Sequence, residues 1–116
     1  MKTKVLIIGG GPSGLLLSLL LNKYGIDNVV LEKKSARHVA SRIRAGILEP
    51  GTVKLLNRAG VGSRIKKEGL LHKGFYIAHG DQLHNISLEK YGKKSVTVYG
   101  QTEVTKDLME KLQGIK

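Results

Sequence analysis

A glycine-rich turn near the amino terminus constrains the fold more than any other feature of the sequence. Residues 5–8 form a short run of β-branched and aliphatic side chains, which is typical of a parallel strand buried on both faces. The turn that follows places Gly9, Gly11 and Gly14 in the pattern G-x-G-x-x-G. This pattern is weak evidence by itself, so the elements on either side of it decide what it means.

The segment after the turn has the pattern of a buried helix. Pro12 and Ser13 suit the first helical turn, and the leucines that dominate residues 15–21 leave almost no polar face. A helix that is apolar all round is normally buried. We predict that this helix continues to about Lys23 and ends at Gly25, because glycine readily adopts the left-handed conformation of helix ends.

A second apolar run, residues 28–31, completes a strand, a helix and a strand in immediate succession. Such a βαβ unit brings its two strands together as parallel neighbours. The sequence therefore predicts an α/β fold of the Rossmann type. Glu32 then stands at the carboxyl end of the second strand, 18 residues after Gly14.

These residues match what a dinucleotide requires at the edge of a parallel sheet. Gly9 lets the chain turn sharply, Gly11 removes a side chain where a pyrophosphate approaches the backbone, and Gly14 lets the helix lie close to the strand. Phosphates bind the free N–H groups at a helix N-terminus. Glu32 accepts hydrogen bonds from ribose hydroxyls and disfavours a 2′-phosphate, so we expect NAD or FAD in this site; the glycine pattern does not distinguish the two.

A basic stretch without acids follows Glu32. Its cationic and imidazole side chains are Lys33, Lys34, Arg37, His38, Arg42 and Arg44. The whole chain carries a formal net charge of +11, which suits phosphorylated ligands, nucleic acid or anionic surfaces. Arginine binds phosphate oxygens in pairs, so Arg42 and Arg44 are the stronger phosphate candidates. Ordinary solvated surface is the other interpretation, and one Phe with four Tyr offers little base stacking for nucleic acid.

The rest of the chain predicts further short elements. We expect helices from Pro50 to a stop at Gly60, over residues 63–68 and over residues 102–112, with strands over residues 75–78, 83–88 and 95–99. Gly80 and Asp81 predict a two-residue hairpin turn between the first two of these strands. The last helix has Thr102 as its expected cap and one expected apolar face, formed by Val104, Leu108, Met109 and Leu112.

The composition excludes several classes of protein. The chain has no cysteine, which excludes disulfide scaffolds and thiolate metal sites, and its four histidines lack metal-ligand spacing, so we expect no metal. No apolar run reaches the roughly 18 residues of a membrane span, so we expect a cytoplasmic protein with no membrane or nucleic-acid partner. Two parallel strands alone make a poor sheet, and no strand follows the last helix. We therefore expect residues 1–116 to be the N-terminal part of a larger domain.

Four longer segments add a resemblance to a known family. They are VLIIGGGPSGLLLSLLL, VVLEKK, SRIRAGILEPGTVKLL and VTVYGQTEVTKDLM, and the resemblance extends over nearly the whole chain. The chain resembles the N-terminal region of the class A flavoprotein aromatic hydroxylases. The RIRAG and VYGQTEVT segments are much more specific than the glycine pattern. The resemblance implies an incomplete Rossmann-like FAD-binding fold of the glutathione-reductase type, with a βαβ unit, further helices and a small antiparallel hairpin.

The resemblance also implies which residues bind cofactors. FAD would contact the turn, the end of the second strand, the arginine segment and the last helix, through Gly9, Gly11, Pro12, Ser13, Gly14, Glu32, Lys33, Arg42, Ile43, Arg44, Ala45, Gly46, Ile47 and Gln101. NADPH, the electron donor of the family, would be favoured by Lys34, Arg37 and His38. Because NADPH binds at a second place, this role does not conflict with a carboxylate that holds the FAD ribose.

The same resemblance implies a reaction and further parts of the enzyme that these residues do not contain. The members that this chain resembles use NADPH, FAD and O₂ to hydroxylate 4-hydroxybenzoate to 3,4-dihydroxybenzoate. The other FAD-binding strands and the substrate domain of that family have no counterpart in these residues. We therefore expect no catalytic residue here and no activity of the chain alone. The resemblance also implies a homodimer for the full-length enzyme. Another phenol hydroxylase of this class and a stand-alone basic module that binds nucleotide or nucleic acid are the alternatives.

Overall fold

The computed structural model describes residues 2–92 and 94–115. Strands and helices follow one another in the order β1 (Val5–Ile8), α1 (Pro12–Lys23), β2 (Asn28–Leu31), α2 (Ala36–Ser41), β3 (Ile47–Leu48), α3 (Pro50–Arg58), α4 (Ser63–Glu68), β4 (Leu70–His72), β5 (Gly74–His79), β6 (Gln82–Ser87), α5 (Leu88–Gly92), β7 (Val96–Val98) and α6 (Gln101–Gln113). Within these ranges, none of the helices has the length and apolar character that crossing a bilayer requires.

The first three elements form the predicted βαβ unit. β1 and β2 pair in parallel along all four residues of each strand, and α1 connects them. Gly25, just after the helix, has a φ of +66°, which is the left-handed conformation predicted for the helix end. The Asn28 side chain fixes the crossing, because its Oδ1 accepts a 2.6 Å hydrogen bond from the Ser18 hydroxyl on α1.

One face of this two-stranded sheet is exposed, so the described residues do not provide the burial on both faces that the strand patterns predict. Leu6 is 54% exposed, Ile8 86% and Leu31 51%, whereas Ile7 on the opposite face is only 7% exposed. Burial on both faces requires packing elements on both sides. Within the described residues, α1 is the element that packs most closely on this sheet, and it lies on the Ile7 side.

The hydrophobic core lies mainly between helices. α1 contributes Leu15 and Leu19 but leaves Leu17 45% exposed, so this helix is not buried all round as predicted. The other buried members come from α3, α4, α6 and the residues that flank them: Leu56, Ala59, Val61, Ile65, Tyr99, Val104 and Leu108. The predicted apolar face of the last helix is confirmed, because Met109 and Leu112 pack against this cluster.

The other predicted elements are found with small differences at their ends. α3 and α4 occupy the predicted ranges, and Gly60 follows α3 with a φ of +81°. β5 and β6 form the predicted hairpin, whose two-residue turn begins at Gly80 with a φ of +58°. The prediction of a Thr102 cap was wrong. α6 begins at Gln101, because Gly100 takes the capping position and Thr102 already lies inside the first turn.

The three-stranded antiparallel sheet was only partly predicted. β7 is its central strand and pairs with β3 on one side and β4 on the other. β3, β4, α2 and α5 had no counterpart in the sequence prediction. A strand of two or three residues has no periodicity of its own, so only its pairing with β7 defines it.

We predict that Leu108→Ala destabilises the protein by about 2–5 kcal/mol, because truncation of a fully buried leucine leaves a cavity. The Leu108 side chain is 0% exposed, whereas Leu55 on α3 is 43% exposed and provides a matched control. Leu55→Ala should cost about 1 kcal/mol or less. Urea unfolding followed by circular dichroism measures both changes, and equal losses would contradict this description of the core.

Candidate nucleotide-binding site

A cavity of about 400 Å³ opens where the glycine turn, the end of β2, α2 and the start of α6 meet. Its lining residues are Gly11, Pro12, Ser13, Glu32, Lys34, His38, Val39, Arg42, Arg44 and Gln101. The cavity lies at the carboxyl ends of the two parallel strands, where open α/β sheets bind nucleotides. All of these residues except Val39 were predicted from the sequence as site residues, and the structure brings them together.

The three glycines of the turn have different physical roles. Gly9 has a φ of +113°, a conformation that residues with a side chain rarely adopt. A Cβ on Gly14 would lie 2.1 Å from the Gly9 carbonyl oxygen, so Gly14 allows α1 to pack directly on the turn. A Cβ on Gly11 would meet no atom within 4 Å. The fold therefore does not require a glycine at position 11, where the open space belongs to the cavity.

The amino terminus of α1 faces this cavity without a side-chain cap. Gly11 is the N-cap residue and Pro12 occupies the first turn. The first N–H groups of a helix have no partner within the helix, and the helix dipole adds a partial positive charge there. This end of α1 is therefore suited to binding a phosphate group.

Two backbone N–H groups hold the Glu32 carboxylate. The Gly10 N–H donates to Oε2 at 2.8 Å, and the Lys34 N–H donates to Oε1 at 2.9 Å. These hydrogen bonds, with the Gly10 bond the stronger influence, lower the pKa of Glu32 below its ordinary value. The group is therefore ionised at neutral pH. Each oxygen keeps a further lone pair, so the carboxylate can also accept hydrogen bonds from the hydroxyl groups of a ligand.

α2 and the residues that flank it form the basic side of the cavity. The N-cap of α2 is Ser35, whose Oγ accepts a 3.3 Å hydrogen bond from the His38 N–H. This cap is the sequence signal that could have predicted α2. His38 and Lys34, which were expected to favour NADPH, line the same cavity as Glu32. Sequence reasoning missed Val39 because a single apolar residue in a basic stretch carries no pattern.

Several predicted site residues do not line the cavity. Gly9 and Gly14 shape the turn, and the others lie outside the lining: Lys33, Arg37, Ile43, Ala45, Gly46 and Ile47. Ile43 is 89% exposed and Ile47 is 63% exposed in β3. From residue 42 to residue 47, only Arg42 and Arg44 contribute to the cavity wall.

Gly46 has a packing role instead. A Cβ at this position would lie 2.8 Å from Cα of Gly100, so a larger residue would push apart the two segments that meet there. The Tyr99 N–H also donates to the Gly46 carbonyl oxygen at 2.7 Å. This contact places the arginine segment beside Gln101, the first residue of α6.

The charges around the cavity suit a ligand that carries both phosphate and sugar hydroxyl groups. Lys34, Arg42 and Arg44 contribute positive charge together with the start of α1, while Glu32 contributes one carboxylate. Across residues 2–92 and 94–115, no three His, Asp or Glu side chains come close enough to hold a metal ion. The fold and the cavity together define a dinucleotide-binding α/β protein.

Comparison with known proteins identifies the family. The sequence pattern of the FAD binding domain family matches residues 2–115. The chain is 57% identical over 111 residues to the p-hydroxybenzoate hydroxylase of Acinetobacter baylyi, which covers 95% of this chain and 28% of that protein. It is 39% identical over 77 residues to the para-nitrophenol 4-monooxygenase of a Pseudomonas strain, which covers 66% of this chain and 19% of that protein.

Solved structures share the fold. The p-nitrophenol 4-monooxygenase of Pseudomonas putida superposes with a TM-score of 0.78 at 30% identity, over 94% of this chain and 29% of that one. A probable FAD-dependent monooxygenase from Pseudomonas aeruginosa superposes with a TM-score of 0.80 over 97% of this chain and 30% of that one. At 21% identity, the second likeness shows the fold alone.

The chain belongs to the FAD binding domain family of the FAD-dependent monooxygenases. It spans less than a third of the length of the relatives that it matches, 28% of the A. baylyi protein and 29% of the P. putida one. The residues of the cavity fit the adenosine diphosphate part of FAD, because they combine open space beside Gly11, an uncapped helix N-terminus and an ionised Glu32.

We predict that Gly11→Ala and Gly14→Ala separate binding from folding. Gly11→Ala should change the free energy of unfolding by about 1 kcal/mol or less, because the methyl group meets no protein atom, yet it should weaken FAD binding about tenfold or more by blocking a phosphate contact. Gly14→Ala should destabilise the fold by about 3 kcal/mol, because its methyl group overlaps the Gly9 carbonyl. Urea unfolding and FAD titration of the full-length enzyme measure the two effects. Equal FAD affinity of Gly11→Ala and wild type would contradict the assignment.

We predict that the Glu32 carboxyl titrates below the usual glutamate pKa of about 4.3, because its ionised form accepts two backbone hydrogen bonds. A lowered pKa means that these bonds contribute fully above the ordinary pKa and are lost as the pH falls through the lowered one. Carboxyl NMR titration measures the midpoint, and Glu32→Gln identifies the signal. The Gly10 and Lys34 amide signals should shift with the same midpoint. A midpoint at or above 4.3 would show that these bonds are absent.

Proposed function

We propose that the cavity holds the adenosine diphosphate part of FAD and that the chain is the N-terminal part of the FAD-binding domain of an aromatic hydroxylase. The observation that carries this proposal is the open space at Gly11, between the start of α1 and the Glu32 carboxylate. The 57% identity to a p-hydroxybenzoate hydroxylase supports 4-hydroxybenzoate as the substrate, with 3,4-dihydroxybenzoate as the product and NADPH as the electron donor.

Each cavity residue has a defined role in this proposal. The N–H groups at the start of α1 bind the diphosphate, and the missing side chain of Gly11 leaves room for it. The Glu32 carboxylate accepts hydrogen bonds from the ribose hydroxyls. Arg42 and Arg44 neutralise the phosphate charge, and arginine suits this task because its planar group binds phosphate oxygens in pairs.

The remaining contact comes from α6. Gln101 stands at the first position of this helix and lines the cavity, and its amide group can both donate and accept hydrogen bonds. When bound, FAD supplies the redox and oxygen-activating chemistry of the hydroxylation. The residues of this chain bind the cofactor, orient it and balance its charge.

Four residues at the start of the basic stretch support NADPH as the electron donor, and two of them, Lys34 and His38, also line the cavity. Lys33, Lys34, Arg37 and His38 are exposed at the end of β2 and on α2. Cations of this kind suit the 2′-phosphate that distinguishes NADPH from NADH. NADPH is a second nucleotide, so its 2′-phosphate need not meet Glu32.

The phenol-binding and catalytic groups are assigned to parts of the enzyme outside residues 1–116. The cavity of this chain suits a nucleotide, and the matched relatives are several times as long. The remaining FAD-binding strands and the substrate domain would lie in that additional length. We expect the 116-residue chain alone to bind FAD weakly or not at all and to hydroxylate nothing.

A second substrate has independent support. The para-nitrophenol 4-monooxygenase relative is 39% identical to this chain, and a p-nitrophenol 4-monooxygenase structure superposes on it with a TM-score of 0.78. Both candidate substrates are phenols with a substituent opposite the hydroxyl group. 4-Nitrophenol is therefore the second candidate.

The enzyme encoded by the complete reading frame tests the proposal. We expect it to purify with one FAD, to oxidise NADPH faster when 4-hydroxybenzoate is present, and to release 3,4-dihydroxybenzoate, followed by absorbance at 340 nm and by chromatography. The Glu32→Gln variant should bind FAD about tenfold more weakly, because a neutral amide is a poorer acceptor for ribose hydroxyls.

Each other outcome has a definite meaning. Stimulation by 4-nitrophenol alone would support the second candidate substrate. Purification without flavin, combined with DNA or RNA binding that weakens steeply as salt rises, would support a basic nucleic-acid module and overturn the proposal.

A further inference from the structure

A network of charged and polar side chains joins α4 to the corner between β7 and α6. The Arg64 guanidinium donates to Asp107 Oδ1 at 2.5 Å and to Glu103 Oε2 at 2.9 Å, both on α6. It also pairs with Glu68 on its own helix at 3.0 Å. Tyr99 is the residue directly after β7, and its hydroxyl group donates to the other oxygen of Asp107 at 2.8 Å. One carboxylate thus connects α4 to the end of the antiparallel sheet.

The inner half of this network is buried and satisfied. Asp107 is 9% exposed and Tyr99 is 5% exposed, and Asp107 accepts a hydrogen bond on each oxygen. Burial, together with Asp107, raises the pKa of Tyr99, so the hydroxyl stays a donor at any physiological pH. Apolar side chains of similar size often provide as much stability as buried ion pairs. Directional hydrogen bonds add a defined geometry, which apolar packing does not impose as strongly.

The Tyr99 end of the network meets the backbone of the cofactor cavity. The Tyr99 N–H donates to the Gly46 carbonyl at 2.7 Å, and Gly46 packs so tightly on Gly100 that a Cβ would lie 2.8 Å from its Cα. Arg44 lies two residues before this contact, and Gln101 lies directly after it. Both of these side chains line the cavity.

We propose that Arg64, Asp107 and Tyr99 are positioning residues for the cofactor cavity. They hold the corner between β7 and α6, and through the contact of Tyr99 with Gly46 they set where Arg44 and Gln101 present their side chains. None of the three lines the cavity itself. The inference rests on the proposed function for the identity of the ligand, and its geometric part stands on the contacts alone.

Three conservative variants test the network, and the chain offers a matched control. Arg64→Lys, Asp107→Asn and Tyr99→Phe each alter or remove hydrogen bonds at nearly constant volume. Arg58 stacks on Tyr24 in the same way, with its guanidinium carbon 5.4 Å from the ring centre compared with 5.9 Å for Arg64 over Tyr99. The Arg58 pair lies on the surface, where Tyr24 is 57% exposed, and it does not line the cavity. Arg58→Lys and Tyr24→Phe are therefore the controls.

Two readouts separate positioning from stability. The amide NMR signals of Gly46 and Gln101 report the geometry of the cavity wall without any ligand, and calorimetry gives the Kd for FAD. Both are measured on the enzyme encoded by the complete reading frame, under conditions where urea unfolding shows that each variant is fully folded. We expect Asp107→Asn and Tyr99→Phe to shift both amide signals and to weaken FAD binding about threefold to thirtyfold. The control variants should leave the signals and the affinity unchanged.

The possible results distinguish a positioning role of the network from a purely stabilising one. Network variants that lose stability but keep wild-type amide signals and wild-type FAD affinity would overturn the inference. If Tyr99→Phe or Asp107→Asn does not fold, Arg64→Lys, which keeps the charge and loses the paired geometry, supplies the same comparison. If the wild-type enzyme encoded by the complete reading frame binds no FAD, the proposed function fails, while the Gly46 and Gln101 signals still decide the positioning role.

Discussion

The close approach of α1 to the glycine turn is the contact on which the rest of the structure depends. Because Gly14 has no side chain, the helix begins directly on the Gly9 carbonyl, and its amino terminus opens into the cavity. The same approach presses α1 against Ile7 and lets Leu15 and Leu19 reach the core shared with α3, α4 and α6. The core of the fold and the α1 end of the cavity therefore share one steric origin.

The other half of the cavity depends on the antiparallel sheet. β7 pairs with β3 and thereby carries the start of α6 to the end of the arginine segment. The tight contact of Gly46 with Gly100 completes this meeting, and the polar network around Asp107 supports it from the side of α4. The fold also places the positive charges in different surroundings. Carboxylates neutralise Arg64, whereas Arg44 faces the cavity.

Local sequence patterns predicted the elements that have a regular apolar spacing or a glycine or proline at their ends. They predicted the burial of individual side chains less well. β1, α1, β2, α3, α4, the hairpin and α6 lie where the patterns placed them, whereas β3 and β4 depend on pairing with β7. α2 has a local signal, the Ser35 cap, which the sequence prediction did not use. Ile7 and Ile8 are equally apolar in the sequence, yet one is 7% exposed and the other 86%. Burial depends on what packs against a residue, and no pattern within a strand contains that information.

The sequence by itself determined the glycine turn after β1, the acid at the end of β2 and the family to which these residues belong. These features follow from steric and hydrogen-bonding rules that act over a few neighbouring residues. The sequence also predicted Arg42, Arg44 and Gln101 as cofactor residues, but only the tertiary structure decided that Ile43 lies outside the cavity that these three line and that Gly46 packs on Gly100. That choice depends on the path of the backbone, which contacts between distant segments set through packing and strand pairing.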